Sequence, residues 1–216
     1  MIVLVAGTGT DVGKTFVTAA VVRALRERGV AVSVRKPVQS FSPGDTGTDA
    51  ELLAAASGEQ PHRVCPPHRW IPAAMAPPIA ARKLGLPPFT TEELVRELAA
   101  PDHGLTVVES VGGVRSPISS DGDTTDLADA IDPALVLLVA DAGLGTINAV
   151  RLSLDALAPH GVVVFLNRFD PNDEVHVENA EWLRSRQSVA TLTSLDALVA
   201  TVSDLLRPGA PVAPKA

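Results

Sequence analysis

An apolar run at residues 2–6 ends in Gly7-Thr8-Gly9-Thr10-Asp11-Val12-Gly13-Lys14-Thr15, and an amphipathic stretch at 14–28 follows. This order of strand, glycine-rich turn, Gly-Lys-Thr and helix constrains the fold more than any other feature of the chain. Glycines let successive backbone N–H groups turn inward as an anion nest. The helix N-terminus adds the positive end of its dipole. Lys14 then reaches the β- and γ-phosphates of a nucleoside triphosphate, and the Thr15 hydroxyl ligates Mg²⁺. The strict pattern has Gly five positions before Gly13, where this chain has Thr8; Gly7 and Gly9 flank that position and supply the turn.

The rest of the chain alternates as such a loop requires. Short runs rich in Val and Leu at 2–6, 31–35, 105–109, 134–140, 162–166 and 189–192 suit strands buried on both faces of a parallel sheet. Helical stretches are expected at 14–28, 48–56, 78–84, 90–99, 125–131, 146–158, 174–185 and 194–206. Thr90-Thr91-Glu92-Glu93 reads as a capping box. The β-α-β-α order predicts an α/β fold of the P-loop NTPase type, with a mostly parallel central sheet of six to seven strands and helices on both faces. One domain is expected over residues 1–207, with a disordered low-complexity tail at 208–216. The proline-rich stretch from His62 to Pro78 is expected to be irregular, crossing the surface or the active site.

Composition narrows the partners. The longest unbroken apolar run is seven residues, 134–140, too short to span a bilayer. A formal charge of −7 argues against nucleic acid, whose backbone asks for clustered cations. A single Cys65 rules out an internal disulfide framework and fits a reducing compartment. Only four of the 18 cationic residues are lysines, and two of these, Lys14 and Lys36, follow predicted strands. Glu109 closes the strand at 105–109, where a Walker-B-type carboxylate would stand at the carboxyl edge of the sheet. Asp49 suits either a metal ligand or a helix N-terminus stabilised by its charge. Asn167 suits either an adenine edge, which needs both a donor and an acceptor, or an ordinary loop cap.

Taken together, these residues resemble the dethiobiotin synthetases. The phosphate loop is similar, and so are Lys36-Pro37-Val38-Gln39-Ser40, Thr48-Asp49 and Val108-Glu109-Ser110-Val111-Gly112-Gly113. Gly143-Leu144-Gly145-Thr146-Ile147-Asn148 and Leu166-Asn167 also fit, in order and spacing, from residue 6 to about 167. The resemblance implies a cytoplasmic homodimer that uses ATP, Mg²⁺ and CO₂ to close a ureido ring on 7,8-diaminopelargonic acid. It implies that Gly9, Thr10, Asp11, Val12, Gly13, Lys14, Thr15 and Phe16 bind ATP, with Asn167 at adenine. It implies that Thr15, Asp49 and Glu109 hold Mg²⁺. Thr10, Lys36 and Ser40 would face the diamine, its carbamate and the transferring phosphoryl group, so that Lys14, Lys36, Thr10 and Ser40 carry the chemistry. Ser110 and Gly112 would line the substrate site. Gly145, Thr146, Ile147 and Asn148 would bind the substrate carboxylate at a helix N-terminus, across the dimer interface. The chain departs from the family at Ser110-Val111, where Gly-Ala is usual, and at Phe41 and Ala149, where Gly and His are common.

Other signals carry less. His62, Cys65 and His68 offer three zinc-type ligands where a structural zinc takes four. The run Asp121, Asp123, Asp126, Asp129 and Asp132 puts Asp where a calcium loop needs Gly and prefers Glu. Ser110 lacks the Gly at 108 of a nucleophile elbow. Two alternatives remain at this stage: a related synthetase with another substrate, and a nucleotide-switch ATPase. The second often has an upstream signature lysine, where this chain has Gly9.

Overall fold

The computed structural model describes residues 1–99, 104–187 and 189–207; the tail expected to be disordered, 208–216, lies outside them. In chain order the elements begin with β1 (Ile2–Gly7), α1 (Lys14–Glu27), β2 (Val32–Arg35), β3 (Gln39–Ser40) and α2 (Asp49–Ser57). Then come α3 (Pro61–Val64), a 3-10 turn (Pro67–Arg69), β4 (Trp70–Ile71), α4 (Pro77–Lys83) and α5 (Thr91–Glu97). Next are β5 (Leu105–Glu109), α6 (Thr124–Ile131), β6 (Leu135–Asp141) and α7 (Thr146–Ala156). The last four are β7 (Val162–Asn167), α8 (Glu174–Arg186), β8 (Ala190–Leu192) and α9 (Leu195–Leu205).

Six of the strands form one parallel sheet in the order β2-β5-β1-β6-β7-β8. Alternate residues feed opposite faces, as a pleated strand requires. Leu4 and Ala6 of β1 join Leu138 and Leu166 under α4 to α8, while Val3 and Val5 join Leu137 and Phe165 under α1, α2 and α9. Both faces are therefore covered, which explains why the strands read as continuous apolar runs. β1 lies between β5 and β6, so the strand order reverses beside it. Such a switch point is where open α/β sheets bind ligands, off the carboxyl ends of the strands.

The proline-rich stretch is more ordered than its sequence suggests. Proline occupies one of the first two positions of α3, of the 3-10 turn and of α4. There its missing N–H costs nothing and its fixed φ favours the helix. β4 pairs in parallel with β3, Gln39 opposite Trp70 and Ser40 opposite Ile71. Thr90 and Glu93 form the expected capping box at α5. No helix among the described residues is long and apolar enough to cross a membrane.

Candidate active site

The loop between β1 and α1 is shaped by close packing. Gly13 caps α1 at φ 90°, and a Cβ there would collide with Asn167 Nδ2. Asn167 Nδ2 in turn donates to the Val12 carbonyl at 3.0 Å. A Cβ at Gly7 would press on Lys14 Cδ at 2.9 Å. The Lys14 ammonium donates to the carbonyls of Gly9 at 2.9 Å and Gly112 at 2.8 Å. Burial, and then the nearby Lys36 ammonium, push Lys14 down to about 8.

Beside the loop, four side chains converge, three from α1, α2 and β5 and one from the segment after β2. Thr15 Oγ1, in the first turn of α1, lies 2.9 Å from Asp49 Oδ1 and 2.8 Å from Glu109 Oε1. Asp49 opens α2, whose start is fixed by a capping box between Thr48 and Glu51. Glu109 ends β5, and Lys36 follows β2 directly. Lys36 Nζ sits 2.8 Å from Asp49 Oδ2 and 2.7 Å from Glu109 Oε1. Burial alone would lower the Lys36 pKa, but the two carboxylates outweigh it and hold the ammonium well above the usual lysine range. Burial works against the Asp49 charge as well; there Lys36 reverses the effect and lowers the carboxyl.

These oxygens suit a hard divalent cation. Glu109 is fully buried, and its Oε2 has no hydrogen-bond partner. An orphaned carboxylate oxygen is costly in the interior unless something positive reaches it. A hydroxyl and two carboxylates are the donor set that Mg²⁺ prefers, with room left for phosphate oxygens and water.

Two cavities meet at the loop. The first, of about 830 Å³, is lined by Thr10, Asp11, Gly13, Lys14 and Thr15 on the loop side. Lys36, Ser40, Asp49, Val111 and Gly112 line it as well. The second, of about 630 Å³, is lined by Gly13, Phe16, Asn167, Phe169 and Leu195 among others. Arg168 lines both.

Most of the residues expected at the site are thus brought together, but not all. Ser110 is buried, its hydroxyl pairs with Thr124 Oγ1, and it lines neither cavity. Gly9 and Val12 shape the loop through their carbonyls without lining either cavity. Gly145, Thr146, Ile147 and Asn148 stand at the start of α7, outside both cavity walls. There the Thr146 hydroxyl donates to the Asp141 carbonyl, Ile147 packs on the core and Asn148 is exposed. Their neighbour Leu144 is 95% exposed. Phe41, Met75 and Arg168 also line the first cavity. In the sequence Phe41 stands out only as a departure from the family pattern, and nothing there marks Met75 or Arg168. Cys65 is buried, whereas His62 and His68 are exposed and His68 lies 3.2 Å from Glu97.

Comparison with known proteins agrees with this geometry. A family model described as an AAA domain matches residues 2–203. The ATP-dependent dethiobiotin synthetase BioD of Rhodococcus jostii (strain RHA1) is 43% identical over 166 residues, covering 74% of this chain and 69% of that protein. The protein of the same name from Anaeromyxobacter dehalogenans (strain 2CP-C) is 40% identical over 180 residues, covering 80% and 79%. Among solved structures, cobyrinic acid a,c-diamide synthase from Mycobacterium smegmatis, with bound ATP analogue and magnesium, superposes with a TM-score of 0.59 at 16% identity. That likeness covers 100% of this chain and 98% of the other, and it speaks to the fold alone. With a phosphate loop at the switch point of a parallel sheet and relatives this similar over most of its length, the chain belongs to the dethiobiotin synthetase family of P-loop enzymes.

Proposed function

We propose that this chain uses ATP and CO₂ to close a cyclic urea on 7,8-diaminopelargonic acid, yielding dethiobiotin, ADP and phosphate. The observation that carries the reading is the pair of ammonium groups, Lys14 and Lys36, which line an 830 Å³ cavity together with Thr15 and Asp49, with Glu109 in contact with Thr15 and Lys36. One amine of the substrate attacks CO₂ and loses a proton, leaving a carbamate. A carbamate oxygen attacks the γ-phosphorus and ADP departs, leaving a carbamic–phosphoric anhydride. The second amine attacks the carbamoyl carbon, expels phosphate and gives up its proton as the ring closes. Both intermediates, the carbamate and the carbamic–phosphoric anhydride, are anionic, and no protein nucleophile is required.

The chain's part is to position the reactants and neutralise their charge. Lys14 and the loop amides from Gly9 to Phe16 hold the triphosphate, and Lys36 meets the carbamate and the transferring phosphoryl group. Thr10 and Ser40 offer hydroxyls to the diamine. Thr15, Asp49 and Glu109 would hold Mg²⁺, whose contribution when bound is to neutralise charge on the phosphates. Asn167 spends its Nδ2 donor on the loop, which leaves Oδ1 as an acceptor for the adenine amino group. Gly112 completes the substrate wall. Gly145 to Asn148 serve the neighbouring subunit of a cytoplasmic homodimer by binding the substrate carboxylate at the start of α7, which explains their place outside this chain's own cavity.

The test is product detection. Purified protein is incubated with ATP, Mg²⁺, bicarbonate and 7,8-diaminopelargonic acid, and dethiobiotin is sought by mass spectrometry while phosphate is followed. One phosphate per dethiobiotin is the expected result. ATP binding without product would retain the nucleotide site and reject the diamine as substrate.

A further inference from the structure

Two successive side chains at the end of β7 hold two successive carbonyls of the phosphate loop. Asn167 Nδ2 donates to Val12 O at 3.0 Å, and Arg168 Nη2 donates to Asp11 O at 2.7 Å. The other arm of the guanidinium, Nη1, lies 2.8 Å from Asp141 Oδ2 at the end of β6. The second oxygen of Asp141 accepts the Gly143 N–H at 3.0 Å. One planar fork therefore ties the loop to a carboxylate that is itself anchored.

The backbone gives this tie a purpose. Asp11 has φ 61° and Arg168 has φ 57°, both in the left-handed region that residues with side chains avoid. A hydrogen bond thus joins two strained residues. Strain of this kind persists only where the surroundings enforce it, and it gathers at binding sites. The Arg168–Asp141 pair is exposed, 57% and 46%, so it adds little to global stability. Its effect is local: it fixes which way the Asp11 carbonyl turns, and so where the loop N–H groups point.

We propose that Arg168 is a positioning residue for the triphosphate, acting through Asp11 to keep the phosphate loop in its anion-binding shape before the nucleotide arrives. The proposal rests on the reading of this loop as a nucleotide site. A loop already in its bound shape loses less freedom on binding, and that difference appears in affinity. The fork is essential, because a lysine offers a single point charge on a flexible stem and has no second planar arm to hold Asp141.

Isothermal titration of the full chain with a non-hydrolysable ATP analogue, and separately with inorganic tripolyphosphate, tests this. Wild type binds both. Arg168→Met weakens both by the same factor, roughly tenfold, the scale of one charge-assisted hydrogen bond. Arg168→Lys does not restore binding. Asp141→Asn, at a position in neither cavity wall, weakens both ligands in the same direction. The double variant is no worse than Arg168→Met alone. In turnover, KM for ATP rises while kcat stays within about twofold. Full rescue by lysine would overturn the proposal, as would losses that add, an inert Asp141→Asn, or a loss confined to the ATP analogue. A wild-type protein that binds neither anion would overturn the nucleotide reading and the strap with it.

Discussion

The ammonium of Lys36 and the carboxylate of Glu109 face each other at 2.7 Å, with 2% and 0% of the two side chains exposed. A buried ion pair is stable only as a pair, since removing one partner strands the other charge away from water. Here the pair has a third member, Asp49, and a spare oxygen, Glu109 Oε2. The cluster thus presents two carboxylates to one ammonium, and a divalent cation brings the balance to positive. That surplus suits a triphosphate next door.

Glu109→Gln keeps the shape of the side chain and removes its charge. Dethiobiotin formation is expected to fall by roughly 10²-fold or more, the range seen when a preorganised electrostatic contact is lost. Lys36 retains Asp49, so stability should fall by no more than about 3 kcal/mol, the low end for breaking a buried pair. Phosphate release and urea unfolding measure the two effects separately. Unchanged turnover would remove Glu109 from the site.

Gly13→Ala tests the loop from its other end. The backbone is at φ 90°, and the added methyl would collide with the Asn167 amide that holds Val12. The left-handed backbone alone costs about 1–2 kcal/mol with a side chain present. Displacing Asn167 should also disturb the second cavity, which that residue lines. Urea unfolding should show the stability loss, and titration should show nucleotide binding weakened beyond what the stability loss explains. Native affinity in this variant would mean that Asn167 yields freely.

The sheet and the loop were legible because their signals are local. Apolar runs of strand length and a Gly-Lys-Thr at a strand end need no tertiary knowledge, and each of the six sheet strands lies at its expected place to within one or two residues. The burial of the Ser110 side chain has its clue in the sequence. Ser110 follows Glu109 at a strand end, and successive strand residues face opposite ways, so a Glu109 that faces the site turns Ser110 toward Thr124. The pairing of β3 with β4 had no comparable signal, because two-residue strands carry no periodicity. Arg168 was illegible for a different reason: its contact with the loop depends on a positive φ and on a single carbonyl 157 residues away in the chain.

Val111 and Phe41 are the two departures from the family pattern that line the first cavity, and Val111 adjoins Gly112 there. Val111 is half-buried and packs against the core under α4 to α8. Val111→Ala should cost about 1 kcal/mol or less in stability, since few buried methyl contacts are lost. It widens the cavity beside Gly112 and leaves the phosphate loop untouched. The expected result is a KM for the diamine lowered severalfold, with the ATP dissociation constant unchanged. A shift in ATP affinity instead would show that Val111 acts on the loop.

Lys14 gives the pH dependence. Its pKa is pushed down to about 8 by burial and by Lys36, against an ordinary value of 10.5. In the free protein the folded state therefore binds fewer protons at this site than the unfolded chain does between those two values. Lys14 on its own makes the fold more stable as pH rises from about 8 toward 10.5. Nucleotide binding runs the other way. A triphosphate favours the ammonium, so binding above about pH 8 draws a proton from solution, and affinity falls by up to about tenfold per pH unit. Below about pH 7 the lysine is already charged and the dependence on it vanishes. Titrations at about pH 8.5 in two buffers of different ionisation enthalpy should report net proton uptake on binding, and the same pair at about pH 6.5 should report none from this group. Lys14→Met should abolish the uptake together with most of the affinity; uptake that survives in this variant would assign the titration to another group.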